Sequence, residues 1–212
     1  MVEIIEELKK DDYNLEYFVK EVQEKKILRD RIVKELLNNS DIKIVLHCYE
    51  ILNKASLENP KLFYEYWNEF YSLIKNEDYN YRNIGSTLIA NLISVDEKNL
   101  FNEIAEEYFS HINDEYFKTS QVFIKNITRI SKVNDKYIEK LTDIYLNIDN
   151  IWTYKEKQKE QLKFDIIRFF ETFYVKIDKK EVVVKYVQDL ANSVSPKTRR
   201  RSKNSKLKKY YR

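Results

Sequence analysis

Residues 60–74 read PKLFYEYWNEFYSLI, and this stretch decides the fold class. Its apolar side chains recur three and four positions apart, and on a helix they share one face: Leu62, Phe63, Tyr66, Trp67, Phe70, Leu73 and Ile74. The polar side chains fall opposite: Glu65, Asn68, Glu69 and Ser72. The stretch therefore predicts an amphipathic α-helix with one broad buried face.

The same spacing continues along most of the chain. Glycine occurs once and proline twice, although hairpins and tight turns depend on both, so strand-based folds are disfavoured. The periodicity predicts an all-α protein with helices at about 2–9, 14–37 (with a break near Lys26 left open), 41–55, 60–74, 79–93, 96–110, 115–131, 135–147, 154–174, 179–192 and 196–210. Gly85 lies inside one of these helices and predicts close approach of a neighbouring helix.

The lone Cys48 excludes an internal disulfide and any multi-cysteine metal site, which favours a reducing compartment, and we expect a cytoplasmic protein. The N-terminal residues lack the order of a secretion signal. The longest uncharged stretch, residues 83–95, is too short and too polar to span a bilayer, so we expect no membrane partner.

An internal period of 37 residues links two stretches of the chain. Residues 36–41, LLNNSD, precede a helix that ends in Ile51-Leu52, and residues 73–78, LIKNED, precede one that contains Leu88-Ile89. Two helices in ~37 to 40 residues is the spacing of helical solenoid repeats. Short links between such helices favour antiparallel neighbours.

The two copies resemble HEAT and armadillo repeats. The better match is Asp78-Tyr79-Asn80-Tyr81-Arg82, an acidic turn with a basic residue just inside the helix, and Asp41-Ile42-Lys43 is next. The resemblance covers about residues 36–190, and residues 195–199, SPKTR, are similar to the start of a last helix in prokaryotic HEAT-like proteins. It implies a short right-handed α-α superhelix of about four to five antiparallel helix pairs. We expect a repeat domain over residues 1–194 and a basic C-terminal helix or tail over residues 195–212.

Charge is distributed unevenly along the sequence. Residues 195–212 carry nine basic and no acidic side chains, whereas residues 1–194 carry 29 basic and 35 acidic ones. The basic side chains are candidate nucleic-acid contacts: Lys197, Arg199, Arg200, Arg201, Lys203, Lys206, Lys208, Lys209 and Arg212. The same segment can instead dock on the acidic body, or cap the repeats through Leu207 and Tyr211.

Catalytic motifs are missing from the sequence. One glycine cannot make a phosphate-cradling loop, so P-loop, dinucleotide-binding and kinase-type sites are excluded. His47 and His111 are far apart, and Cys48 points about 100° away from His47 on a helix, so we expect structural or incidental roles for all three. We predict no catalytic residue, cofactor site or metal site.

One branch of HEAT-like proteins removes alkylated bases from DNA with acidic, aromatic and arginine side chains in a positively charged groove. Trp67, Trp152 and Arg82 supply some of those residue types, but they match no motif of that branch. The acidic body also opposes a groove that binds phosphates. A DNA glycosylase is therefore the least favoured alternative.

Two polar and aromatic sets are candidates for contact with a protein partner. Tyr64 and Tyr71 lie at the margin of the apolar face of residues 60–74, and Asn83, Thr87 and Asn91 form a neutral polar stripe on the next helix. We therefore predict a non-enzymatic binding or scaffold protein that binds a protein partner through its helical-repeat surface. The alternative is a nucleic-acid-binding protein that uses the basic C-terminal segment. The sequence does not decide the oligomeric state.

Overall fold

The computed structural model describes residues 2–211 of the chain, with side chains from residue 4 onward. Over those residues it forms thirteen α-helices joined by short 3₁₀ turns and loops, and it contains no strand. The all-α class predicted from the sequence is therefore confirmed. The chain divides into two compact units, Met1–Ala105 and Glu106–Arg212, and the division falls within the helix Leu100–Ser110.

The helices follow one another with short connections. The first seven are α1 (Val2–Leu8), α2 (Leu15–Glu24), α3 (Lys26–Asn38), α4 (Ile42–Glu58), α5 (Trp67–Ile74), α6 (Tyr79–Leu92) and α7 (Leu100–Ser110). The remaining six are α8 (Phe117–Val133), α9 (Ile138–Leu146), α10 (Ile148–Ile151), α11 (Glu156–Phe173), α12 (Lys180–Asp189) and α13 (Pro196–Lys203). None of the helices between residues 2 and 211 combines the length and the apolar character that crossing a bilayer requires.

Five of these helices begin at nearly regular intervals. Their first residues are Ile42, Tyr79, Phe117, Glu156 and Pro196, so successive starts lie 37, 38, 39 and 40 residues apart. The first two share the same local start. Asp41 and Asp78 each cap their helix from the side chain, accepting from the backbone N–H of Lys43 at 2.9 Å and of Asn80 at 2.8 Å.

The predicted helix over residues 14–37 is two helices, because the chain is extended at Lys25 (φ −115°, ψ 103°). The guanidinium group of Arg29 stabilises this break. Its Nη1 donates to the carbonyl oxygen of Val22 at 2.6 Å and lies 3.4 Å from that of Gln23. These carbonyls belong to the last turn of α2, where intrahelical partners are missing.

The stretch over residues 60–74 is helical, but its first half differs from the predicted α-helix. Pro60–Tyr66 is a 3₁₀ helix, and α5 begins at Trp67. Side chains three positions apart eclipse in a 3₁₀ helix, which brings Phe63 and Tyr66 to the same side, where both are buried. The predicted burial of Phe70 is confirmed, since its side chain has no exposed surface.

The second unit has an aromatic centre on α11. Phe169 and Phe170 are fully buried, and Phe173 is 5% exposed. The ring of Tyr145 on α9 meets Phe169 edge-on, with 4.9 Å between the ring centroids. Aromatic pairs in this geometry add to the stabilisation from buried area. The C-terminal segment packs against the same helix, α11.

Candidate functional site

The basic C-terminal segment begins with the first turn of α13. Ser195 caps α13, its Oγ accepting from the backbone N–H of Thr198, and Pro196 occupies the first helical position. Arg199 reinforces the turn, since its Nη1 donates to the carbonyl oxygen of Ser193 at 2.7 Å. The segment therefore starts as an ordered helix at Pro196, where the predicted helix over residues 196–210 begins.

One face of α13 consists of small hydroxyl residues that anchor it to the second unit. Thr198 and Ser202, four positions apart, are fully buried. Thr198 Oγ1 donates to the carbonyl oxygen of Glu160 at 2.5 Å, and Ser202 Oγ donates to that of Val187 at 2.5 Å. Because these two side chains face inward, the side chains on the opposite side of α13 face solvent.

A single buried carboxylate, Glu171 on α11, fixes the chain after α13. Its side chain is 3% exposed and forms an ion pair with Arg201. It also accepts from Ser205 Oγ at 2.7 Å and from the backbone N–H of Lys206 at 3.1 Å. Hydrogen bonds that involve a charged partner are about twice as strong as neutral ones, so Glu171 stabilises the position of residues 201–206.

The chain ends in a 3₁₀ turn, Lys206–Tyr210, that packs through Leu207, which is 3% exposed. The predicted helix over residues 196–210 is therefore interrupted after Lys203. Tyr211 returns to α13, and its hydroxyl donates to the carbonyl oxygen of Ser202 at 2.9 Å. Residues 196–211 thus pack on the rest of the second unit through the buried side chains of Thr198, Ser202 and Leu207 and through Glu171 on α11.

The remaining cations of the segment point outward and define what we call the C-terminal basic surface: Arg200, Lys203, Lys206, Lys208 and Lys209. None of these five side chains pairs with a carboxylate within residues 2–211. Lys197 is also exposed but lies over the ring of Phe164, 3.9 Å from its centroid. Arg212 lies outside the described residues.

No protein-family model, curated protein or solved structure matches the chain.

The cations of the C-terminal basic surface stand on a backbone that the second unit holds in place. Arg200 and Lys203 lie three positions apart and therefore side by side on α13. Like charges so close repel one another, and an anion that bridges them relieves the repulsion. Because buried hydroxyls and Glu171 fix the backbone, little backbone entropy remains to be lost when an anion binds, and the main entropic cost is that of ordering the side chains.

The two tyrosines predicted to contact a protein partner are engaged within the first unit. Tyr64 donates from its hydroxyl to Asp96 Oδ1 at 2.6 Å, and both burial and this hydrogen bond raise the pKa of Tyr64 to about 12. Asp96 in turn accepts from the backbone N–H groups that begin α7. Tyr71 is half-buried, with Lys75 Nζ 4.2 Å from its ring centroid. Tyr64 therefore has a structural role at the start of α7.

The polar stripe predicted on α6 is partly buried in the first unit, with Asn83 and Thr87 half-buried and Asn91 buried. Asn91 is 6% exposed, and its side-chain amide donates to Asn53 Oδ1 and to Ser56 Oγ, each at 2.9 Å. Thr87 is half-buried and donates to the carbonyl oxygen of Asn83 at 2.9 Å. Asn91 therefore joins α6 to α4.

The two histidines lie in different units and each has a local partner. His47 Nδ1 is 2.8 Å from the carbonyl oxygen of Leu8, and its ring stacks on Tyr13. His111 Nδ1 is 2.9 Å from Asp114 Oδ2, and its ring stacks on Phe123. Among the residues that the structure describes, no group of three His, Cys, Asp or Glu side chains can hold a metal ion.

Cys48 is fully buried on α4, and burial raises the pKa of its thiol to about 12. At pH 8 the thiolate fraction is then about one part in ten thousand, and the thiolate is the reactive form. We expect the native protein to resist a thiol reagent such as DTNB, and the urea-unfolded chain to release one equivalent of thionitrobenzoate from its single cysteine. Rapid reaction of the native protein would contradict the burial of Cys48.

The residue types considered for a glycosylase site are also part of the scaffold. Trp152 is 3% exposed, and its Nε1 donates to the carbonyl oxygen of Ile112 at 2.8 Å. Arg82 donates to the carbonyl oxygens of Asn76 and Glu77, at 2.9 and 2.7 Å. Trp67 is 3% exposed. The two tryptophans are therefore part of the buried core, and Arg82 stabilises the turn that precedes α6.

The residue that sequence reasoning missed is Glu171. It is a lone acid within the aromatic run of residues 169–173 on α11. Its position beside buried aromatic residues, in a chain with a basic C-terminal segment, could have indicated a buried ion pair. The sequence does not show which residues it contacts, because Arg201 and Lys206 lie 30 and 35 residues away.

Proposed function

We propose that this chain is a non-enzymatic binding protein whose C-terminal basic surface binds nucleic acid through its phosphates. The observation that carries the proposal is the anchoring of this segment by the buried carboxylate of Glu171, which leaves five exposed cations on a fixed backbone. A solvated tail would have to be ordered on binding, at an entropic cost that a fixed surface avoids.

The proposal includes a HEAT-like solenoid as the scaffold, with four to five helix pairs in a right-handed superhelix. Two observations support this architecture. Five helices begin 37 to 40 residues apart. Side-chain hydrogen bonds also join residues separated by about one period, such as Asn91 to Asn53 and Trp152 to Ile112. In repeat proteins each unit contacts its neighbour in the chain, which places equivalent positions together. The cytoplasmic location stays a prediction from the sequence.

The charge of the surface suits a polyanion. Each cation that neutralises a phosphate releases a condensed counterion, so affinity falls steeply as salt rises. The rest of the chain is acidic overall, with 29 basic and 35 acidic side chains in residues 1–194, and repels the nucleic acid backbone. Binding is therefore expected to be confined to the C-terminal basic surface.

The test is fluorescence anisotropy with labelled RNA, single-stranded DNA and duplex DNA at 50 and 200 mM salt. A variant with Arg200, Lys203, Lys206 and Lys208 each changed to Glu should bind at least about tenfold more weakly at 50 mM. Its log–log salt slope should be smaller by about 3, because each lost phosphate contact removes close to one unit.

A matched control changes the same number of exposed lysines elsewhere: Lys34, Lys61, Lys118 and Lys125, each to Glu. This control has the same net charge as the first variant and should bind more tightly than it does. Equal weakening in both variants would mean that net charge alone governs binding, and the assignment to the C-terminal basic surface would be wrong.

Binding of a protein partner through the helical repeats is the second candidate function. It is favoured by Ile42 and Leu46, which lie four positions apart on α4 and are 51% and 44% exposed. Aliphatic side chains that stay exposed side by side are candidates for contact with a partner. Absence of binding to every nucleic acid at 50 mM salt would favour this candidate over the first.

A further inference from the structure

A cleft of about 720 Å³ lies in the second unit, between α12 and the C-terminal 3₁₀ turn. Lys209 belongs both to its lining and to the C-terminal basic surface, so the cleft and the surface are continuous. Clefts of about 300 to 1,000 Å³ are the size that holds small organic molecules in proteins. The cleft is therefore large enough for one flat aromatic ligand.

Two tyrosines form one wall of the cleft. The rings of Tyr174 and Tyr210 stack with 5.0 Å between their centroids and 29° between their planes. Tyr210 is 43% exposed, so its ring remains accessible although it stacks on Tyr174. The next residue, Tyr211, is held by the hydrogen bond from its hydroxyl to Ser202. Lys209 Nζ lies 5.0 Å from the centroid of the same ring, on an exposed side chain. The Tyr210 ring is thus a stacking platform that Tyr174 supports, and a base stacks on it by displacing the Lys209 side chain.

The cleft differs in charge from the surface beside it. Its lining contains two cations, Lys185 and Lys209, and two carboxylates, Glu181 and Asp189, so it is neutral by formal count. Lys185 Nζ lies 3.5 Å from Asp189 Oδ2, so these two charges offset each other. A phosphate gains little there, whereas a neutral ring that carries N–H and carbonyl groups meets both acceptors and donors. The phosphates of such a ligand would lie on the C-terminal basic surface.

We infer that the cleft receives an unpaired base of single-stranded nucleic acid, which stacks on Tyr210 while the adjacent phosphates contact the C-terminal basic surface. This inference rests on the proposed function and adds the kind of strand that is bound. Stacking on an aromatic side chain needs an exposed base face, and in a duplex both faces of each internal base are covered. The arrangement therefore selects single strands over duplexes without reading a sequence.

The experiment uses the full chain and three labelled probes: a 12-residue oligothymidylate, an abasic phosphate–deoxyribose strand of the same length, and a 12-base-pair duplex. The wild type should bind the oligothymidylate about tenfold or more tightly than the abasic strand, as expected for one stacked base. Tyr210→Ala should lose this advantage and bind the oligothymidylate about as weakly as the wild type binds the abasic strand. Its affinity for the duplex should change less than twofold.

Two further variants separate stacking from folding. Tyr210→Phe keeps an aromatic ring against Tyr174 and should retain the preference for the oligothymidylate. Tyr17→Ala removes a tyrosine that is 54% exposed on α2 and should leave all three affinities unchanged. Equal affinity for all three probes, with sensitivity to charge reversal retained, would overturn this inference and leave the proposed function standing. Lack of binding to any probe at 50 mM salt would overturn both.

Discussion

Replacing Gly85 by Ala should destabilise the protein by about 1–3 kcal/mol, although Ala is the better helix former. A Cβ atom on Gly85 would lie 2.7 Å from the carbonyl oxygen of Phe70, 2.8 Å from Leu73 Cβ and 2.9 Å from the backbone nitrogen of Ile74. Two of these three atoms are backbone atoms of α5, which cannot move by a change of rotamer. The methyl group therefore forces α5 and α6 apart.

The measurement is the free energy of unfolding from urea titration followed by circular dichroism. Asn80→Ala on the same helix is the control, because Asn80 is half-exposed and surface substitutions usually change stability by less than ~0.5 kcal/mol. If Gly85→Ala proved as stable as the wild type, the close approach of α5 and α6 would be wrong. A stable Gly85→Val variant would contradict it still more strongly, since valine is larger and β-branched.

Gly85 also shows which features of the fold the sequence can predict. A glycine in the middle of a helical pattern predicted a neighbouring helix at close range, and the contact with α5 confirms it. The sequence could not locate the break at Lys25 with the same certainty, because both lysines there favour helix and the stabilising group is Arg29. The periodicity of one helix predicts which face is apolar. It does not predict the tertiary contacts that stabilise the end of the helix.

The polar stripe on α6 illustrates a second limit. Asn83, Thr87 and Asn91 lie opposite the apolar face, which in an isolated amphipathic helix is the solvated side. In the structure α6 packs against both α5 and α4, and Asn91 is covered by Asn53 and Ser56. A helix with two neighbours buries polar residues that find partners, and the sequence of α6 alone does not contain those partners.

The basic segment was the part of the candidate site that the sequence predicted best. Composition identified its nine cations, and the predicted helix over residues 196–210 begins where α13 begins. Which cations stay exposed depends on tertiary contacts instead. Arg201 is drawn into the ion pair with Glu171, whereas Arg200 beside it faces solvent.

Glu171→Gln should loosen the C-terminal segment and lower the free energy of unfolding by about 1–3 kcal/mol, since hydrogen bonds to a charged group contribute about that much. The glutamine oxygen can still accept from Ser205 and Lys206, so the loss reports mainly the ion pair with Arg201. This loss of stability is smaller than that expected for a fully buried ion pair, because the Arg201 side chain is 34% exposed. Urea titration measures the free energy of unfolding. The control is Glu97→Gln, which makes the same change at an exposed glutamate.

A double-mutant cycle isolates the ion pair. Arg201→Gln and the double variant are measured beside Glu171→Gln, and the double variant should be less destabilised than the sum of the two single changes. Strict additivity would mean that the two side chains do not interact. Hydrogen exchange gives a local reading, because the amide of Lys206 donates to Glu171 and should exchange about tenfold faster for each ~1.4 kcal/mol lost.

The same variant separates two explanations of nucleic acid binding. Glu171→Gln makes the protein one unit more positive, so a mechanism based on net charge alone predicts tighter binding. If the fixed positions of the C-terminal basic surface matter, binding should weaken, because a loosened segment must be ordered again each time it binds. Weaker binding by the more positive variant would therefore show that Glu171 acts by holding the cations in place, and tighter binding would show that it does not.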